Sequence, residues 1–414
     1  MTYRFSADYI LRTCGDAAKT AQIAAGEQSS GTFVEIPGED EALKQRSAAQ
    51  VELLEQVEDP GTPVLAGSEG DGTPTSWKMR LSWPLENIGP SLPNLVATVA
   101  GNIGELKQVA GLKITDLHLP APFFERYHGP GFGVEGTRRL AGVHEGPLIG
   151  TIIKPSVGLT AAGTAALVDE LCEGGIDFIK DDELQADGTR CPFETRFEKV
   201  MDVVDRHADR SGRKVMYAVN ITGELDEMLH RHELVLKRGG TCVMVSLNSV
   251  GMTGLAALRN ETQLPIHAHR NGWGMLGRPD HTGWSYPAWS TLWRVIGVDH
   301  MHVNGLSNKF WETDESVIAS ARHCLSPLHF DFPNRVMPVF SSGQTVLQAA
   351  PTYQQTGSSD LIFCAGGGVV AHPSGVGAGV KSLRESWQAA FEGISLEAAS
   401  AKSSVLREAV EKFS

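Results

Sequence analysis

The sequence predicts an α/β protein, with a C-terminal (β/α)8 TIM barrel behind an N-terminal α+β domain. Three observations carry that expectation. From about residue 145, eight short apolar or β-branched runs recur with helix-like segments between them, over roughly the 250 residues a barrel needs. Polar residues capable of chemistry fall at the C-terminal ends of those runs, where barrels gather catalytic groups. Ahead of them strands and helices mix without regular alternation, the texture of a compact α+β domain. The expected domains are 1–135 and 136–414, the second carrying a helical extension at its end.

Taken in order, Tyr3 to Leu11 reads as a first strand and Asp16 to Ala25 as a short helix closed by Gly26. Gly31 to Ile36 alternates as a strand. Gln45 to Val57 is charged and rich in helix formers, so a helix is expected there. Asp59 to Ser76 is a Gly/Pro/Ser-rich loop. Trp77 to Trp83 alternates as a strand, Ser91 to Gly101 reads as a helix, and Val109 to Leu119 as another strand. The barrel strands are expected at Leu148–Lys154, Ile176–Glu183, Lys214–Ile221, Thr241–Leu247, Leu264–Arg270, His300–Gly305, Arg335–Ser342 and Leu361–Gly367. Between them Thr160–Cys172, Glu194–His207, Glu224–Lys237 and Ala288–Ile296 fit helices. An open doubly wound sheet is the alternative, but no strand leads into a G-x-G-x-x-G fingerprint. Ser395 to Phe413 reads as a polar helix outside the barrel.

The 414 residues carry a formal net charge of −13 and no basic stretch. That argues against nucleic acid and anionic membrane as partners. An anionic substrate must then be met by a local cluster of Arg and Lys. No apolar run approaches the ~20 residues of a membrane span. The N-terminus lacks the basic-then-apolar pattern of a secretion signal, so the cytoplasm is the expected compartment. The six cysteines are scattered without a CxxC pair, and Cys242 and Cys364 lie in apolar runs as core thiols.

Phe178-Ile179-Lys180-Asp181-Asp182-Glu183 concentrates charge at a strand end. Period-2 geometry puts Lys180 and Asp182 on one face and Asp181 on the other, and Glu183 joins the first pair if the chain bends there. Buried charges cost several kcal/mol per ion unless paired or metal-bound. Taken alone, a salt-bridge cluster explains the stretch better than a functional site does. Lys154-Pro155 ends the first barrel run, leaving a lysine at its exit as surface charge or as an acid/base group. His267-Ala268-His269-Arg270 puts two histidines on one face, with an arginine suited to bidentate phosphate recognition at the exit. Hydrogen-bonded core histidines are the plainer account of either alone. His300 and His302 repeat the spacing one strand later, without the helix motif or cysteine cluster that would specify zinc. Ser342-Gly343 and Gly366-Gly367-Gly368 follow the seventh and eighth runs, where barrels often bind phosphate through backbone N–H groups. Ordinary tight turns are the competing account of both. Lys309, on the loop after the sixth run, reads alone as a solvated lysine.

Together Gly150-Thr-Ile-Ile-Lys-Pro155, Gly175-Ile-Asp-Phe-Ile-Lys-Asp-Asp-Glu183, His267-Ala-His-Arg270, Asp299-His-Met-His302 and Gly366-Gly-Gly…His372-Pro373 resemble the large subunit of RuBisCO. Glu27-Gln-Ser-Ser-Gly-Thr-Phe33 and Gly101-Asn102 resemble its N-terminal motifs, so the match runs in order through nearly the whole chain. The resemblance implies a ferredoxin-like form for the N-terminal domain. It implies that Lys180 is carbamylated by CO2 and that this carbamate, Asp182 and Glu183 hold one Mg²⁺ per site, hard oxygen ligands suiting that ion. It implies catalytic roles for Lys154 in enolisation and protonation, for His269 near the substrate hydroxyls, and for Lys309 on a mobile loop. Arg270, His302 and Ser341 match one phosphate site; Gly343, Gly366 and Gly367, with Thr32, match the other. Glu27 and Asn102 match residues that reach into the neighbouring subunit's substrate site. A homodimer with shared active sites is therefore implied, or a higher homo-oligomer.

The chain also departs from the carboxylating pattern. Ser156 replaces a second lysine, the Lys309 loop reads Gly-Leu-Ser-Asn-Lys-Phe-Trp, Trp273 replaces a histidine and Phe33 a tryptophan. The parts that stabilise an enediolate with Mg²⁺ are kept, while those that handle CO2 and a full bisphosphate are altered. The chain thus resembles a RuBisCO-like protein and not a CO2-fixing carboxylase. Its pattern, including Asn304-Gly-Leu-Ser-Asn-Lys309, is most similar to RuBisCO-like proteins of apionate catabolism. That implies, first, decarboxylation of 3-oxo-isoapionate 4-phosphate, a phosphorylated small molecule. Transcarboxylation and hydrolysis of the same substrate comes next. A methionine-salvage enolase or isomerase acting on a methylthio-pentulose phosphate follows, with Trp273 or Phe310 supplying an apolar pocket. A non-catalytic scaffold is disfavoured because Lys154, Lys180, Asp182, Glu183, His269 and Arg270 are all intact.

Overall fold

Alternation of apolar residues along Arg4–Thr13 makes this segment the central strand of the first sheet: Phe5, Ala7, Tyr9 and Leu11 are buried while Ser6, Asp8 and Ile10 are only half so. A computed structural model of the chain describes residues 3–31 and 37–414. The chain divides into two units, Met1–Tyr127 with Gly272–Val295, and His128–Asn271 with Ile296–Ser414. This differs from the two contiguous domains expected, because residues 272–295 return to the first unit.

Strands β1 (Arg4–Thr13), β2 (Gln50–Val57), β3 (Thr75–Pro84) and β4 (Gly111–His118) pair antiparallel in the order β4-β1-β3-β2. The helix Ala17–Glu27 follows β1, and the helix Leu92–Val99 lies between β3 and β4. That succession and strand order is the ferredoxin-like arrangement. Asp16 starts the first helix by accepting from the Lys19 amide.

One element differs from expectation. The helix expected over Gln45–Val57 is confined to Glu41–Ser47, and Gln50–Val57 is an edge strand paired with β3 from Gln50↔Ser82 to Val57↔Ser76. Pairing satisfies the β2 backbone along one side, and this tertiary gain outweighs the helix preference of its Glu, Leu and Gln residues. Of the strand expected at Gly31–Ile36, residues 32–36 lie outside the described residues.

The second unit begins its barrel with β5 (Leu148–Ile152), β6 (Phe178–Lys180), β7 (Met216–Asn220), β8 (Cys242–Ser246) and β9 (Ile266–His269). The next strand, β10 (Thr282–Trp284), belongs to the first unit and lies parallel to β4 at the sheet edge. Strands β11 (His300–His302), β12 (Met337–Phe340) and β13 (Ile362–Cys364) complete the barrel, which closes through β13 and β5 in the register Ile362↔Leu148. Each of the eight runs expected from the sequence contains one of these eight strands.

The barrel is packed, not hollow. Leu148, Phe178, Met216, Ala218, Cys242, Met244, Met337, Val339, Ile362 and Cys364 fill it, with Val134 and Ala141 of the helix Gly133–Ala141 joining the same cluster. Each large apolar side chain so buried contributes about 1.5–3 kcal/mol. Counting on by two from these inward positions reaches Lys154, Lys180, Asn220, Ser341 and Gly366 at the C-terminal strand ends. The tail expected as one helix is two, Leu396–Ser400 and Ser404–Phe413, the second started by the Ser403 hydroxyl. No helix among the described residues is long and apolar enough to cross a membrane.

Candidate active site

Strand β6 delivers Lys180 inward and then ends. A turn closed by the Gln185 amide on the Asp182 carbonyl at 3.0 Å bends the chain. The Asn220 amide also reaches the Glu183 carbonyl at 3.3 Å. The bend brings Glu183 back, so the Lys180 ammonium donates to the Asp181 carbonyl at 2.8 Å and lies 3.4 Å from the Glu183 carboxylate. Asp181 points the other way, as strand alternation requires. Its carboxylate accepts from the Tyr217 hydroxyl at 2.6 Å, from Arg196 at 3.1 Å and from the Asn220 amide N–H at 3.0 Å. Lys154, at the exit of β5, donates to Asp182 at 2.6 Å and to the Ser156 hydroxyl at 2.8 Å. His269 Nε2 lies 3.4 Å from the same Glu183 oxygen. Five residues from three strand ends thus meet in one charged cluster.

Burial alone would raise the Glu183 carboxyl pKa; His269 and Lys180 beside it outweigh that and hold it below the usual carboxylate range. Burial, with the Lys180 charge nearby, lowers the pKa of His269, which is therefore neutral near pH 7 and able to accept as well as donate. The donor set suits a hard divalent cation: the Glu183 carboxylate lies 3.4 Å from Lys180, whose side chain is only 1 % exposed, and the Asp182 carboxylate joins the cluster through Lys154. As an ammonium Lys180 would repel a cation. As a carbamate it would add a third anionic oxygen donor in the same place.

The far end of the site is built from β9, β11 and β12. Arg270 is buried and forks onto Glu312, with Nη1 at 3.3 Å from Oε1 and Nη2 on Oε2. Asn304 Nδ2 donates to Oε2 as well, and Asn304 Oδ1 accepts from the Ser342 hydroxyl at 2.8 Å. His302 Nδ1 meets the Ser341 hydroxyl at 3.0 Å, and its Nε2 lies 2.9 Å from His267 Nε2. Behind them His300 Nε2 meets the Thr137 hydroxyl at 2.8 Å. The two glycine loops touch: a side chain at Gly368 would strike the Gln344 carbonyl, so its absence lets the loop after β13 settle on the loop after β12. Gly366 packs on the Ile152 and Lys154 side chains, and Gly343 has a φ of +91°.

The structure therefore gathers Lys154, Lys180, Asp182, Glu183 and His269 in one cluster. It sets Arg270 beside Asn304, His302 beside Ser341, and the glycine loops against each other. Lys309 is exposed, with its ammonium over the Phe310 ring at 5.2 Å. Asn102 is exposed in the first unit, 3.5 Å from Glu27. Thr32 lies outside the described residues. Neither proposed lining of an apolar pocket is poised as one: Trp273 is buried against Tyr286 and Trp289, and Phe310 is 56 % exposed. Sequence reasoning missed Glu312. Nothing in Phe310-Trp-Glu-Thr marks an inward carboxylate, and its partner lies 42 residues earlier.

Two family models match the chain: the ribulose bisphosphate carboxylase large chain N-terminal domain over residues 12–123 and its catalytic domain over residues 133–413. A relative from Xanthobacter autotrophicus, named 3-oxo-isoapionate-4-phosphate transcarboxylase/hydrolase, is 57% identical over 99% of each chain. One from Rhizobium etli, named 3-oxo-isoapionate-4-phosphate decarboxylase, is 40% identical over 98% of each. The crystal structure of a RuBisCO-like protein from Burkholderia fungorum matches with a TM-score of 0.92 at 45% identity, over 99% of both chains. The chain belongs to the ribulose bisphosphate carboxylase large-chain family.

Proposed function

We propose that the chain is a Mg²⁺-dependent enzyme acting on 3-oxo-isoapionate 4-phosphate, breaking the bond to its carboxylate. The observation that carries this is the meeting of Lys154, Lys180, Asp182, Glu183 and His269 at the barrel's strand ends. In a 3-oxo acid the electron pair of that bond can flow into the ketone once the ketone is polarised. Carbamylated Lys180, Asp182 and Glu183 would hold Mg²⁺, which supplies that polarisation. Lys154, held by Asp182 and Ser156, is placed to deliver a proton from Nζ to carbon. Neutral His269 orients substrate hydroxyls, and the glycine loops offer backbone N–H groups to the phosphate.

The carboxylate then leaves as CO2, with a proton taking its place on carbon, or moves to the other carbon of the enediolate, forming a new C–C bond there. Identity of 57% to the transcarboxylase/hydrolase against 40% to the decarboxylase favours transfer followed by hydrolysis, with simple decarboxylation as the second reading. We further propose a cytoplasmic homodimer in which Asn102 serves the partner's site; light scattering giving a monomer mass would refute it. Incubating the protein with substrate carrying ¹³C at the carboxylate, with Mg²⁺ or with EDTA, tests the function. Label in an organic product means transfer; label in bicarbonate means decarboxylation; no Mg²⁺-dependent consumption sinks the proposal. Labelled CO2 is not expected to enter phosphoglycerate from ribulose bisphosphate.

A further inference from the structure

We infer that Glu312 makes this active site selective for substrates with a single phosphate, by neutralising Arg270 from within the protein. The inference rests on the proposed function and on the resemblance that matches Arg270 to one phosphate site. A guanidinium presents a planar fork that phosphate or carboxylate can fill with two parallel bonds. Here Glu312 fills it, one oxygen to each terminal nitrogen. Both partners are buried. A phosphate dianion brought to the same fork would face a buried carboxylate of like charge with little water between them.

The carboxylate is held in place by its loop. Asn304, itself fixed by Ser342, donates to it. Asn308 Nδ2 bonds the carbonyls of Gly305 at 2.9 Å and of Glu312 at 3.0 Å, stapling the loop across its own base. The Ser307 amide donates to Asp314 at 2.7 Å, and Gln344 Nε2 reaches the Leu306 carbonyl at 3.1 Å. Swinging the Glu312 side chain away would break its bonds to both Arg270 and Asn304. At the other end of the site Gly366 lies against the stem of Lys154, whose ammonium is paired with Asp182. The Arg270 end of the site is therefore already satisfied by a protein carboxylate. Arg270 then works as a neutral hydrogen-bonding unit with Glu312, suited to hydroxyl groups.

Calorimetry with two probes, ribulose 5-phosphate and ribulose 1,5-bisphosphate, tests this at saturating Mg²⁺. Wild-type protein is expected to bind the monophosphate more tightly than the bisphosphate by about tenfold, and Glu312→Gln to tighten the bisphosphate alone by about tenfold or more. The inference is overturned if wild type binds the bisphosphate as tightly as the monophosphate or more tightly, or if Glu312→Gln moves both probes equally. Should the variant not fold, the wild-type ratio still decides. Because binding is measured without turnover, a kept ratio with no turnover of 3-oxo-isoapionate 4-phosphate would sink only the proposed function. Turnover with the opposite ratio would sink only this inference.

Discussion

Replacing Asp181 by Asn tests whether the metal-ligand strand end is held from behind by a buried charge pair. Asp181 and Arg196 have fully buried side chains. The amide keeps the shape of the carboxylate and removes its charge. With its oxygen kept toward the Arg196 guanidinium and the Asn220 N–H, its NH2 faces the Tyr217 hydroxyl, which can turn to accept, so the hydrogen bonds survive and only the charge is lost. Arg196 keeps carbonyl partners at Cys191 and Ala186, at 3.0 and 2.9 Å, so its charge is hydrogen-bonded but no longer neutralised. Breaking a buried pair from one side costs about 3–5 kcal/mol. At about 2–4 °C per kcal/mol for a domain of this size, the melting temperature should fall by roughly 10 °C. Mg²⁺ affinity should fall by about tenfold, because Asp181 fixes the backbone between Lys180 and Asp182. Thermal unfolding by circular dichroism and Mg²⁺ titration calorimetry read the two effects. A shift under about 2 °C would refute the reasoning, since it lies below the least cost of an unpaired buried charge. Replacing both partners by Leu and Met should recover much of the lost stability.

Lys180→Ala is expected to abolish Mg²⁺-dependent turnover, followed by NMR of the products; near-full turnover would remove the carbamate from the mechanism. Lys154→Met should lower kcat by about 100- to 10,000-fold, the range for loss of a positioned proton donor, and steady-state kinetics will show it. Stability should decline in mild acid. Burial lowers the pKa of His300 to about 3 from an ordinary 6.5, so below pH 6.5 the unfolded chain takes up a proton that the folded one does not. This histidine alone should cost about 2 kcal/mol between pH 6.5 and 5, and buried His267 and His302 shift in the same direction. Urea midpoints at pH 7 and 5 measure the loss, and equal midpoints would contradict it.

The barrel was legible because each strand obeys one local rule. Its inward positions alternate, as in Met216, Ala218 and Asn220, and the series ends in a polar group. The outward turn of Asp181 followed from the same rule. Strand β2 was not legible because it lies at an edge, where few of its side chains are buried and only pairing with β3 separates strand from helix. Strand β10 is three residues, Thr-Gly-Trp, too short to show a period. The Arg270–Glu312 pair was invisible for another reason: its chemistry exists only after the barrel has brought β9 and the loop after β11 together.

The placement of β10 bears on how the chain is made. Lys113 of β4 bonds the carbonyl of Pro279, 166 residues later, close to where β10 joins that sheet. At about 5–20 residues per second, the ribosome takes roughly ten to thirty seconds to supply that partner. For that interval the outer edge of β4 is a row of unpaired N–H and C=O groups on a nascent chain. A fragment ending at Tyr127 would keep the edge bare indefinitely, and such fragments should self-associate through it where the full-length protein does not.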